Sequence, residues 1–504
     1  MLLACAAALL VCAPAALAAG GVSVKPKAPA PENARTLGPL CRVDTPAFRL
    51  WWSDTPGAPG AADGSDGACA TLPPVVSELA ATAEAARASA AALGFGPMRG
   101  DAGPVFAKRP ALTRSLLRMS ARARAGTFAR TPRVTRGQYL ASLSTAQRAR
   151  VLRRLPKKLR SRLLADTARA QRGRPSDFVG GDGRVDIVID SSGATGQVQD
   201  LQTGLSPCRI TTNRGKSAFV ASWAVVLARP GVIPRAVLAH ELFHVVQCNL
   251  RVGFNSPTLL REGTAEWFAS IAQPADFASA VTATPSGGTT ASGGNARVIS
   301  FCNGFDPSGS GTTPYVSWPI WQALDPGTPT PGAVRGALGF FTGSTGVQHP
   351  ATAVIGRIGV ARWTEAVRVA TQAVCGTLRS PTGAIAFDPA VRGFFGALRP
   401  AIVAGAPGSM TVPPGGVSSV VAAWGRRAVA SVSVRLSSAQ VPPETLIGFV
   451  ASTATTGSIA PVVRDGAVVF DIPAAALVDG YVPLTVANTS DAATLAVQVE
   501  VAAS

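Results

Sequence analysis

The chain has 504 residues, a formal net charge of +19 and only three histidines. That length admits two to four domains and a sizeable core, and no run beyond the N-terminus is long and apolar enough to span a bilayer, Ala218 to Ala228 being only of strand length. The charge is local: between Val105 and Pro175 stand about twenty Arg and Lys against one acid, Asp166, so the rest of the chain is close to neutral.

At the N-terminus, Leu2 to Leu17 is apolar and ends in Ala16-Leu17-Ala18, an A-x-A cleavage site. Residues 1–18 therefore read as a secretory signal peptide, without the usual basic n-region, and the mature chain is expected to be secreted. Residues 19–40, rich in Pro, Ala and Gly, read as a linker. Cys41, Cys69, Cys208, Cys248, Cys302 and Cys375 remain. In an exported chain they imply three disulfides, and neighbour pairing (41–69, 208–248, 302–375) closes short loops. They form no CxxC, which argues against a cysteine metal site. Phe48 to Trp52 reads as a strand. Asp63 and Asp66, in a Gly-rich loop, offer oxygens to calcium but read first as a solvated turn. Pro73 to Leu93 reads as a helix stopped at Gly94.

In the basic segment, residues 105–175, Ser144 and Gln147 form a capping-box signal, Pro156 ends one helix, and a second helix is expected from Lys157 to about Ala170. Leu143, Val151, Leu152, Leu155, Leu159, Leu163 and Leu164 supply an apolar stripe. Three readings stay open: a solvated helical hairpin inserted in the main domain, a contact for an anionic cell surface, or an internal pro-segment cut at Arg153-Arg154 or Lys157-Lys158. Phe106, Phe128 and Tyr139 are its only aromatics, so nucleic-acid binding is not expected.

Val185 to Ile189 and Phe219 to Ala228 read as strands. The stretch Val237 to Gln247 follows and contains His240, Glu241 and His244, an HExxH pattern. On a helix the two imidazoles share one face, at a spacing that can grip one metal ion, with Glu241 beside them as a candidate general base. Glu241 is the only charge in an otherwise uncharged run, and a charge in such a helix needs a partner or a metal. Arg261-Glu262-Gly263-Thr264-Ala265-Glu266-Trp267 lies just beyond, with Glu262 and Glu266 again four apart. The plain alternative is a buried helix whose histidines are satisfied core residues.

Over roughly residues 234–272 the chain resembles the gluzincins, the thermolysin and aminopeptidase N group of zinc peptidases. Their pattern is HExxH followed by a helix carrying a glutamate ligand. The metzincin pattern fails, because Gln247 and Leu250 stand where Gly and His belong; the aspzincin GTxxD fails because Trp267 stands at the Asp. The resemblance implies an α+β, zincin-like peptidase domain (residues 41–405, with 105–175 inserted) and one zinc ion held by His240, His244 and Glu262. It also implies a zinc-bound water activated by Glu241 as general base, Glu266 orienting His240, and an oxyanion contact from Tyr315. The strand before the HExxH helix would be an edge strand that aligns an extended polypeptide substrate. Whether Glu262 or Glu266 is the third ligand stays open, an acid just after Gly263-Thr264 being nearer the aspzincin arrangement.

Pro234 and Gly253 suit the ends of the HExxH helix; Ser256-Pro257 opens the second helix and Pro274 closes it. Residues 275–313 read as loops, His349 as a surface residue and 350–400 as helices. From about Pro407 short alternating runs indicate a β-sandwich of immunoglobulin-like type, residues 406–504. No GxMEN motif is present, and no Glu lies between Glu84 and Glu241 to hold a free substrate amine. The sequence therefore points to a secreted zinc metalloendopeptidase. The alternative is a non-catalytic exported adhesion protein with a degenerate peptidase domain.

Overall fold

The computed structural model describes residues 25–28, 40–53, 69–96, 98, 110–171, 184–189, 197–199, 211–212, 217–218, 223–226, 235–250, 252, 256–282, 297–308, 313–327, 331–341, 350–387, 401–425, 429–443, 446–451, 458–473, 480–489 and 494–504. The expectations for the signal peptide and for Asp63, Asp66, Cys208, Gly253 and His349 fall outside these residues. The chain is mixed α+β and divides into two compact units.

The first unit comprises Met1–Ala85, Gly100–Gln197 and Trp223–Pro234. Its strands are β1 (Lys25–Ala28), β2 (Leu40–Asp44), β3 (Phe48–Ser53), β4 (Val185–Ile189) and β8 (Trp223–Val226); β5 (Gln197–Gln199), from Val198 on, and the small hairpin of β6 (Thr211–Thr212) and β7 (Ser217–Ala218) fall within the second unit's residues. The order is β1-β2-β3-β4-β8-β5, antiparallel through β3 and parallel from β3 to β8. β3 is buried along its whole length, as a central strand of Phe, Leu and Trp should be. Its Arg49 is buried too, and Nε donates to Asp44 Oδ1 at 2.7 Å. The stretch read as a linker thus contributes β1, whose Pro26 is tolerable because the strand is an edge. β8 is shorter than the expected strand and is not the edge, since β5 lies beyond it. The Cys41–Cys69 disulfide ties β2 to the chain entering α1 (Pro74–Ala92), which stops at Gly94 with φ +73°.

The basic segment is not a hairpin but five helices: α2 (Pro110–Arg118), α3 (Ala121–Arg130), α4 (Arg133–Ala141), α5 (Thr145–Leu152) and α6 (Lys157–Gln171). They enclose a core of their own, centred on Leu116, Phe128, Leu140, Val151 and Leu163. The capping box is present: Gln147 N donates to Ser144 Oγ and Ser144 N to Gln147 Oε1. Three arginines do structural work that sequence pattern does not show. Arg124 donates to Met119 O and Arg153 O, Arg136 to Phe128 O, and Arg148 to Leu140 O and Leu143 O. Each meets carbonyls at or near the C-terminus of another helix, where orphan acceptors and the negative dipole end favour a cation. Arg133 and Arg136 donate to the two oxygens of Asp166 at 2.6 and 2.8 Å.

The second unit comprises Ala86–Arg99, Val198–Ser222 and Arg235–Ser504. Its helices are α7 (Arg235–Asn249), α8 (Thr258–Ala272), α9 (Pro274–Thr282), α10 (Arg297–Asn303), α11 (Trp318–Leu324), α12 (Gly332–Phe340), α13 (Ala351–Ile358) and α14 (Val360–Thr371). The strand β9 (Gly304–Phe305) follows α10, a 3-10 turn (Thr313–Ser317) precedes α11, and a π turn (Gln372–Thr377) continues α14. The region expected to be loops thus holds two helices and a strand. α8 ends just before Pro274, as expected, and Pro274 also opens α9, since a residue without an N–H suits a first turn. Burial of Phe277 against Trp318, at 5.0 Å between rings, fixes α9 where composition alone suggested a loop.

A two-sheet sandwich completes this unit. Its strands are β10 (Ala401–Val403), β11 (Gly408–Val412), β12 (Val417–Ala423), β13 (Val432–Ser437), β14 (Leu446–Ala451), β15 (Ser458–Ile459), β16 (Val462–Arg464), β17 (Ala467–Ile472), β18 (Tyr481–Asn488) and β19 (Leu495–Ala503). The sheets run β10-β12-β18-β14-β15 and β11-β19-β13-β17-β16. Alternate residues of β13 and β19 point into the core, as a period of two requires. The sandwich is joined to the helices: β9 pairs with β12, Ser419 and Thr485 hydroxyls donate to Cys302 O, and Trp363 Nε1 donates to Gly415 O. Cys302 is itself disulfide-bonded to Cys375. No described helix is long and apolar enough to cross a membrane.

Candidate metal centre

α7 is apolar around most of its circumference, and eleven of its fifteen residues are buried. Its first turn has no acid of its own. The exposed dipole end is met instead by Asp276 of α9, whose Oδ2 accepts from Ala236 N at 2.7 Å. α8 packs beside it through aromatic rings: Phe243 stacks on Phe268 at 4.8 Å and meets Trp267 at 5.9 Å, while Phe95 contacts Phe243 and Trp267. This packing sets the polar stripe of α7 against the polar stripe of α8.

The structure brings His240, His244 and Glu262 together. The separation is 3.1 Å between the two Nε2 atoms, 3.3 Å from His240 Nε2 to Glu262 Oε2 and 3.2 Å from His244 Nε2 to the same oxygen. Zinc bound at 2.0–2.1 Å in tetrahedral geometry spaces its ligand atoms by about 3.3 Å. The three atoms therefore form one face of a tetrahedron of the size zinc requires. The donor set, two imidazoles and a carboxylate, is also a zinc set.

The supporting contacts determine which atoms face that point. Glu266 Oε1 lies 2.9 Å from Nδ1 of His240, on the side of the ring away from Glu262. Gln247 does the equivalent for His244. Its Nε2 donates to Arg261 O and to Thr264 Oγ1, at 2.7 and 2.9 Å, and the Thr264 hydroxyl in turn donates to Leu260 O. With the amide nitrogen so committed, Oε1 faces His244 Nδ1 at 2.8 Å and must accept from it. That leaves the lone pair of His244 on Nε2, the atom aimed at His240 and Glu262. Arg261 lies 3.6 Å from Glu262 Oε1, which leaves Oε2 to the imidazoles. Glu241, buried on α7, is outside the converging trio, although its charge acts on His240. Tyr315, half-buried on the 3-10 turn, lays its ring 5.9 Å from that of His240 and nearly parallel to it.

Burial opposes a charge on His240, but Glu266, the bonds to Glu262 and Glu266, and the charge of Glu241 outweigh it and raise the pKa to about 10. Burial likewise opposes charge on Glu262, and His244 and His240 nevertheless hold its carboxyl well below the usual range. A metal bound at this point would compete with protons for the same ring nitrogens and carboxylate oxygen.

Two further residues matter here that no sequence motif marks. Gln247 entered only as a mismatch to another motif, although it stands three residues after His244 on the same helical face. Gly263 sits where α8 meets the Tyr315 turn, and a Cβ there would collide with Ser317 Oγ and Trp321 Nε1. The small residue lets that turn approach the helix bearing Glu262. The Cys41–Cys69 and Cys302–Cys375 pairs are formed as expected; Cys248, one turn beyond His244, is also disulfide-bonded. Comparison with protein-family models, with curated proteins and with solved structures gives no match.

Proposed function

We propose that the chain is an exported zinc-dependent endopeptidase with a zincin-like catalytic region. The observation that carries the reading is the convergence of His240, His244 and Glu262 on one point at zinc-sized separations. These three residues would hold the ion, which when bound supplies Lewis acidity to a carbonyl and acidifies water. The chain's own part is positional and protic. Glu241 takes the proton of the attacking water and passes it to the leaving amine. Glu266 and Gln247 hold the imidazoles in one tautomer and tilt. Tyr315 lies beside His240, where its hydroxyl can serve the developing oxyanion. The absence of any glutamate between Glu84 and Glu241 supports an endopeptidase over an aminopeptidase. The disulfides are compatible with an oxidising, extracellular compartment.

The test is metal analysis of the purified chain, joined to hydrolysis of an unfolded protein with and without chelator. We expect about one zinc per chain, lost in His240→Ala and His244→Ala, and turnover that stops in Glu241→Gln while the metal stays. Zinc retained in either histidine variant would overturn the site. Zinc without any turnover in the unaltered chain would favour the non-catalytic adhesion reading.

A further inference from the structure

The basic helices α2–α6 take no part in the metal centre, and their surface is one-signed. Asp166 is the only acid between residues 110 and 171, and it is buried between two arginines. Arg124, Arg136 and Arg148 are consumed inside the fold. By contrast, the seven cations from Arg150 to Arg162 are all exposed, gathered on the last turn of α5, the α5–α6 turn and α6. Like charges crowded this way oppose folding, so they are not there to stabilise the helices. Their use lies with a partner of opposite charge.

The structure narrows that partner. Phe128 and Tyr139 are buried at 2% and 6% exposure, so no described aromatic of these helices is available to stack on bases. The dibasic pairs are poor cleavage sites in the fold. Arg153 O accepts from Arg124 and Leu155 is buried, while Lys157 and Lys158 lie in a helix. Two leucines, however, stand exposed among the cations: Leu117 of α2 at 41% and Leu164 of α6 at 45%. Lys157 and Arg160 precede Leu164 by two turns and one turn on the same face, while Leu163 faces the core. Exposed leucine flanked by exposed cations on one helical face suits the boundary between phosphate headgroups and acyl chains.

We propose that the outer face of α6, with the α5–α6 turn, docks the protein on an anionic phospholipid bilayer, the cations meeting headgroup phosphates and Leu164 entering the acyl boundary. The test is co-sedimentation of the full chain with phosphatidylglycerol-containing vesicles and with pure phosphatidylcholine vesicles, at low and high salt. Binding should require the anionic lipid and weaken with salt. Each cation near such a surface contributes about fivefold, so Lys157→Gln/Lys158→Gln/Arg160→Gln should weaken binding on the order of a hundredfold. Circular dichroism should show helix content unchanged, because all three side chains are exposed. Leu164→Ser should weaken vesicle binding several-fold and leave binding to heparin, a soluble polyanion, unaltered. Failure to bind anionic vesicles at low salt, or equal binding to phosphatidylcholine, would overturn the proposal. So would tight heparin binding together with a Leu164→Ser variant that binds vesicles normally, which would assign the surface to a soluble polyanion.

Discussion

The α7–α8 pair and the α2–α6 bundle both bury carboxylate among helices, and they finish the job differently. Asp166 has one arginine on each oxygen, and nothing remains for a ligand to satisfy. Around Glu262 the chain supplies acceptors that face one another: an oxygen and two ring nitrogens within 3.3 Å, each imidazole braced from behind by Glu266 or Gln247. A set of electron-pair donors aimed at one point needs a cation between them. What separates a structural ion pair from a candidate site is therefore the balance of donors and acceptors, since both carboxylates are buried and paired.

That contrast can be broken most severely at Glu262. Glu262→Gln should reduce zinc affinity more than any other single carboxylate change in the centre, read by competition with a chromogenic chelator. Glu266→Gln should cost roughly 10–100-fold. If the order is reversed, with Glu266→Gln losing the metal and Glu262→Gln keeping it, the third ligand is Glu266.

A sharper version leaves every ligand in place. Gln247→Ala removes the acceptor that holds the proton of His244 on Nδ1, and zinc affinity should fall by roughly 10–100-fold. Imidazole resonances should show His244 sampling both tautomers in the metal-free chain. An unchanged affinity would mean that packing alone orients the ring.

The smallest effect belongs to the closed ion pair. Asp166→Asn should destabilise the basic bundle by about 1–3 kcal/mol, measured by urea unfolding, and leave zinc affinity untouched. Burial opposes charge on Asp166, but its bonds to Arg133 and Arg136 win and lower its pKa below the usual 3.8. Its stabilising contribution is therefore complete above that value and lost as pH falls through the depressed one. The variant should show a flatter loss of stability in that acid range.

The motif residues were legible in the sequence because side chains that share one helical face recur at three or four residues, as His240 and His244 do on α7 and Glu262 and Glu266 on α8. The disulfide pairs within reach of short loops were legible for a similar reason. The five-helix bundle was only partly so. α2 to α4 are short, carry arginine inside, and owe their ends to side chains from other helices, which no local pattern encodes. α9 was missed because Phe277 and Trp318, 41 residues apart in the numbering, decide it together. Gln247 was in view, but its role depends on Arg261 O and Thr264 on the neighbouring helix.

The strand β9 has a consequence for how this chain can be cut and recombined. Gly304 and Phe305 belong by sequence to the helical region, yet their backbone is an outer strand of the sandwich, and the carbonyl of Cys302, two residues before Gly304, takes hydroxyls from β12 and β18. Ending the chain near residue 400 would leave that backbone without its ladder and strip the cover from Phe305, which is fully buried. The segment loosened would be the one that leads into the Tyr315 turn. The last hundred residues are therefore no exchangeable cassette: a graft that replaces them has to rebuild the β12 edge, or it will disturb the turn that sets Tyr315 beside His240.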